Sequence, residues 1–110
     1  MTKSAVLCRK VIIADSFIRK ALGLMFISKK QFQNKSLLFI FDIEKNLNFH
    51  TFFMNFAIDF LFLDKNQRVT RILKNVSPWQ INVCGHGKYV IELPAGKSLN
   101  TAIGDTISFK

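Results

Sequence analysis

From Phe49 the chain reads FHTFFMNFAIDFLFLDK, and this run limits the possible folds more than any other feature of the sequence. It cannot be a membrane-spanning helix, because Asp59 interrupts it well short of the roughly 20 apolar residues that a span needs. It divides naturally into two strands, HTFFMNF and IDFLFLD, with a turn around Asn55 to Ala57. Neither half alternates cleanly between apolar and polar positions, so both faces of these strands must be covered. Two packed layers meet that need, which makes the expected fold mainly β: an antiparallel β-sandwich or flattened barrel.

The flanking sequence supports this reading. SAVLCRKVIIA (Ser4 to Ala14) reads as a first strand with β-branched residues at its end. Asp15 or Ser16 then forms an N-cap for a short helix, in which Phe17, Ala21 and Leu24 share a face and Gly23 supplies the left-handed cap. SKKQFQNKS is a polar surface loop. Strands follow at LLFIF, at RVTRILKNV, at KYVIEL and finally at TISF. DKNQR is a hairpin turn in which Asn66 can adopt the left-handed conformation, and SPWQ is a turn. AGKSLNTAIGD holds a turn or a single helical turn, so one or two short helices complete the fold. No repeat or linker divides residues 1–110, and the chain is read as a single domain.

At 110 residues and 49% hydrophobic content, with twelve phenylalanines, the chain can fill an aromatic core without covalent staples. The net charge of +9 raises the possibility of an anionic partner. The lysines are scattered, however, with Lys29 and Lys30 the densest pair, whereas a dedicated nucleic-acid binder clusters its cations. Cys8 and Cys84 lie far apart; they could form one disulfide in an exported protein, but read more simply as two reduced, buried thiols. SAVLC is followed at once by Arg9 and Lys10, which is not a secretory signal, and a cytoplasmic protein is expected.

Several blocks occur together in order: RKALGLMF (Arg19 to Phe26), HTFFMNFAIDFLFLDKNQRV (His50 to Val69), SPWQ, YVIELPAG (Tyr89 to Gly96) and IGD (Ile103 to Asp105). In this the chain resembles the domain-of-unknown-function 192 family, small proteins of bacteria and archaea. The resemblance covers nearly the whole chain from Arg19. It implies a β-sandwich or barrel-like domain with a short helix, and no established reaction. Three departures stand out. Ala57 occupies a position where the family has proline, Asn66-Gln67 replaces a turn glycine, and either Arg19 or Lys20 fills the family's basic position.

Five polar or aromatic positions are candidates for a site. His50 and Thr51 form either the polar corner of a pocket or a strand end bonded to backbone. Asp59, flanked by apolar residues, is either an acid, base or ligand acceptor, or a structural acceptor for backbone N–H groups where the chain turns before Ile58. Glu92 could pair with Asp59 as two carboxylates at a sugar-type site, or simply pair with a lysine. Trp79 is a core plug or a stacking surface. In CGHGK, Cys84 and His86 are two soft ligands which Cys8, His50 and a carboxylate could complete, although the segment reads more simply as a glycine-rich turn. Gly96, Lys97 and Ser98 lack the preceding glycine of a phosphate loop. No metal or cofactor is therefore expected.

The leading reading is a binding or accessory module with an aromatic-lined site near His50, Thr51, Asp59 and Trp79. Its partner is a small molecule or a protein. An enzyme using Asp59 with Glu92 or His50 as acid and base on a small polar or sugar-like substrate is the alternative. A weak electrostatic nucleic-acid binder is a third reading.

Overall fold

The computed structural model describes residues 4–5, 10–14, 35–51 and 54–108. Seven strands run in chain order: β1 (Ser4–Ala5), β2 (Lys10–Ala14), β3 (Lys35–Phe49), β4 (Ile58–Leu63), β5 (Val69–Val76), β6 (Val83–Pro94) and β7 (Thr106–Ile107). The main sheet has the order β2-β3-β6-β4-β5, and β1 pairs with β7 in a second, two-stranded sheet. The pairings β3–β6, β4–β6 and β4–β5 are antiparallel, while β2–β3 and β1–β7 are parallel. The fold is thus mainly β, as expected. The described residues contain no helix, and the helix expected from Phe17 lies outside them.

The main sheet is folded over on itself. Phe39 and Phe49 lie ten residues apart on β3, a separation of roughly 33 Å along a straight strand, yet their ring centroids are 5.2 Å apart. The bend falls at an irregularity in the β3–β6 ladder, where pairing passes from Ile40↔Tyr89 directly to Lys45↔Gly87. Four residues of β3 thus stand opposite Lys88 alone, a large bulge that turns the β3–β6 ribbon back over the sheet. Phe49 thereby reaches Phe60 and Phe62 of β4, at 5.9 and 6.1 Å. Gly85 of β6 permits this closure: a Cβ there would stand 2.7 Å from the Phe62 ring.

β4 lies between β6 and the edge strand β5 and is buried along its whole length. Ile58, Phe60 and Phe62 enter an aromatic cluster with Leu37, Phe39, Leu47 and Val90. Leu61 and Leu63 enter a second, aliphatic cluster with Leu38, Val69, Ile91, Leu93 and Ile107. Two cores flank one strand, which explains why IDFLFL shows no amphipathic alternation.

Several expected elements differ. Outside residues 52–53, HTFFMNF is not a strand: His50, Thr51 and Met54 are irregular, and Asn55 and Phe56 form a bend. CGHGK is part of β6 rather than a turn. The glycines there serve close approach, since a Cβ at Gly87 would fall 2.5 Å from the Leu63 carbonyl oxygen. SAVLCRKVIIA divides into β1 and β2, each in a different sheet. In the 64–68 hairpin the left-handed residue is Gln67, with φ 64°, rather than Asn66. Asp64 Oδ1 accepts the Asn66 and Arg68 N–H groups and fixes that geometry. AGKSLN forms turns closed by Lys97 N–H to the Pro94 carbonyl and Thr101 N–H to the Ser98 carbonyl.

Candidate functional site

Asp59 is 1% exposed, on the face of β4 that carries Leu61 and Leu63. A buried carboxylate needs donors, and three segments of the chain supply them. Oδ1 accepts the Asn75 N–H at 2.8 Å. Oδ2 accepts the Gly96 N–H at 3.1 Å, the Ser98 N–H at 3.2 Å and the Ser98 hydroxyl at 2.5 Å. The Asn75 donor is presented by a bulge in β5. Pairing there passes from Ile58↔Val76 to Phe60↔Leu73, and Asn75 takes φ 54°, a conformation asparagine tolerates. Asp59 therefore fastens the loop after β6 and the bulge of β5 to β4. It is a structural acceptor, but not for the turn before Ile58, where the sequence placed its partners. Asn75 and Ser98 were not foreseen, because they lie 16 and 39 residues from Asp59.

Glu92 does not face Asp59. It pairs with Leu37 and Phe60 on the aromatic side of the sheet, whereas Asp59 pairs with Leu93. The structure does not bring the two carboxylates together as an acid–base couple. Among the described residues Glu92 forms no ion pair with a lysine; it is 4% exposed, and burial pushes its pKa up to about 8.

Thr51 and Trp79 do meet. Thr51 is fully buried and clasps the 77–80 turn from two sides. Its hydroxyl donates to the Ser77 carbonyl at 2.7 Å and accepts the Gln80 N–H at 2.8 Å. Its backbone N–H donates to the Gln80 carbonyl at 3.0 Å, and its carbonyl accepts the Trp79 N–H at 2.9 Å. Trp79 is held at φ 65° and the residue is 59% exposed, so it is not a core plug. His50, next in chain to the clasp, is exposed, as is Ile81 on the far side of the turn.

Cys84 carries an exposed free thiol rather than a buried one. His86 faces Asn46 Oδ1 through Nδ1 at 3.0 Å and Glu44 Oε2 through Nε2 at 3.5 Å. No three His, Cys, Asp or Glu side chains among the described residues gather as a metal site, and Cys8 lies outside those residues.

The carboxylates are distributed unevenly. Asp42, Glu44 and Asp64 reach the surface at the hairpin end of β4 and β5, where Glu44 Oε1 accepts the Lys65 N–H at 2.9 Å. At the opposite end of β5, near the Trp79 turn, the described carboxylates are Asp59 and Glu92, both buried. Among the described residues the exposed charged groups at this end are cations, Lys74 on β5 and Lys97 in the loop after β6.

A sequence profile described as Uncharacterized ACR, the domain-of-unknown-function 192 family, matches residues 2–109. A UPF0127 protein of Pyrococcus horikoshii is 41% identical over 105 residues, spanning 91% of this chain and 87% of that protein. A UPF0127 protein of Thermococcus sibiricus is 40% identical over 114 residues, spanning 99% and 71% respectively. A crystal structure from Sinorhizobium meliloti, described as a candidate transcription regulator, superposes with TM-score 0.77 at 23% identity, over 86% of this chain and 76% of that one. Another from Novosphingobium aromaticivorans, described as of unknown function, superposes with TM-score 0.75 at 21% identity, over 86% and 70%. These two structures share the fold.

Proposed function

This chain belongs to the domain-of-unknown-function 192 family, and we propose that it is a binding module that offers Trp79, with His50 beside it, to a ligand bearing a flat or apolar face. One observation carries this reading: an exposed tryptophan sits in a left-handed conformation on a turn fixed by four hydrogen bonds to Thr51. A bulky residue at positive φ costs on the order of 1–3 kcal/mol and persists only where its surroundings over-determine it. Here the bonds to Thr51 fix the backbone of the turn, and Trp79 is exposed rather than packed into a core. Asp59 supports the site indirectly by seating the neighbouring loop, and its oxygens are occupied by the protein's own donors. The exposed thiol of Cys84 fits a reducing compartment such as the cytoplasm.

Trp79 is the sole tryptophan, so its emission reports on this turn alone. Titration with uridine, phenylalaninamide and maltose, three chemically distinct flat-faced probes, should produce a saturable emission change with at least one. The melting temperature should rise with the concentration of that probe. Trp79→Ala should keep the parent's melting temperature and lose the stabilisation. Silence with all three probes, or undiminished stabilisation in the variant, would refute the proposal.

A further inference from the structure

We propose that the Trp79 turn is a stacking platform for single-stranded nucleic acid, with Arg71, Lys74 and Lys97 taking its phosphates. The inference rests on the reading of Trp79 as a binding residue and names the ligand class. It starts from charge. Among the described residues the ion pairs are Lys45–Asp42 and His86–Glu44, both involving the β3 bulge. Arg71, Lys74 and Lys97 are exposed and stand outside those pairs. Arg71 and Lys74 lie on β5, the edge strand of the main sheet, and β5 leads directly into the Trp79 turn. Among the described residues the carboxylates that reach the surface, Asp42, Glu44 and Asp64, stand toward the Arg71 end of that strand, away from Lys74 and the turn.

Exposed cations on and beside an edge strand that leads into a turn bearing an exposed aromatic residue suit a single strand: the cations follow the backbone and the ring stacks on a base. A single-stranded ligand is favoured over a duplex because Trp79 stands on a turn beside a strand edge, and the described residues offer no helix to enter a groove. The base that stacks on it must already be free of its neighbours. A cationic edge strand also discourages edge-to-edge aggregation, and that role alone would need no aromatic ring. Dependence on Trp79 therefore separates the two.

The test uses short fluorescein-labelled oligothymidylate and oligouridylate, followed by anisotropy and by quenching of Trp79 emission. Both signals should saturate together at low salt. Trp79→Ala should weaken binding about 5- to 150-fold, the equivalent of one stacked base at roughly 1–3 kcal/mol. Lys74→Ala should lower the steepness of the logarithmic salt dependence by about 0.7, the value for one phosphate contact on a single strand. Comparison of the two oligomers decides between DNA and RNA as the source of the strand. Equal binding by the parent and Trp79→Ala, with polyphosphate competing as well as either oligomer, would overturn the inference by reducing it to charge alone. Absence of oligomer binding overturns it as well. If uridine, phenylalaninamide or maltose still perturbs Trp79 in that case, the binding module stands and only the nucleic-acid assignment falls. If none does, both fall.

Discussion

Replacing Glu92 by glutamine keeps the shape of the side chain and removes its ionisation. Glu92 lies between Leu37 and Phe60 in the sheet, is 4% exposed, and has its pKa raised by burial from the ordinary 4.5 to about 8. The folded state therefore holds a proton that the unfolded chain releases near pH 4.5. Between those two values the folded state binds more protons, so stability falls as the pH rises. Its contribution is fully present below pH 4.5 and is lost as the pH climbs through about 8. At about 1.36 kcal/mol per pH unit, the interval corresponds to a ceiling of about 5 kcal/mol. That is a large share of the 5–15 kcal/mol typical of a small domain.

Urea denaturation of the parent and Glu92→Gln across pH 4 to 9, at fixed ionic strength, isolates this term, because every other titrating group is common to both proteins. The two stabilities should be similar at about pH 4, and the variant should gain steadily on the parent until the difference levels off above pH 8. Parallel curves, or a parent that gains on the variant as the pH rises, would show that the carboxylate is solvated or paired and would refute the reasoning.

Asp59→Asn places an amide against N–H donors, so about 2 kcal/mol and roughly 10 °C should be lost; an unchanged circular-dichroism melt would remove Asp59 from its structural role. Thr51→Val keeps the branched shape but deletes the hydroxyl that bonds Ser77 and Gln80. It should cost about 1–3 kcal/mol and make Trp79 emission more accessible to acrylamide, and no change in quenching would refute the clasp. Gly87→Ala drives a Cβ to 2.5 Å from the Leu63 carbonyl oxygen and should cost about 1–3 kcal/mol in urea denaturation; parent-like stability would show that β4 and β6 can separate there at no cost.

The ends of the central strands could be read from sequence to different depths, for physical reasons. IDFLFLD was legible as a doubly covered strand because its burial is encoded residue by residue, and β4 covers it up to Leu63, one residue short of Asp64. HTFFMNF carries the same apolar signal but forms no strand where it is described. Met54 and Phe56 enter the aromatic core from a bend, and composition cannot distinguish a core residue on a strand from one on a loop. The fold-over of β3 onto its own sheet was invisible for a related reason. It depends on a four-residue mismatch against Lys88 and on glycines opposite Phe62 and Leu63. The same glycines, read locally, suggested a turn.

The candidate site divides along similar lines. That Asp59 needed backbone donors followed from its apolar neighbours, but which donors it takes is set by the bulge at Asn75 and the loop at Ser98. Charge shows the distinction most clearly. A net +9 with scattered lysines argued against a nucleic-acid partner, since sequence clustering was the available measure. Folding changes that measure by sequestering carboxylates rather than by gathering cations. Asp59, Glu92 and Asp105 are buried, and the described acids that reach the surface, exposed Asp42 and half-buried Glu44 and Asp64, stand at one end of β5. Burial also pushes the Glu92 pKa up to about 8 and so disfavours its negative charge. Among the described residues, the field at the Trp79 end is therefore set by where the surface acids stand, a property of topology that no count of lysines reveals.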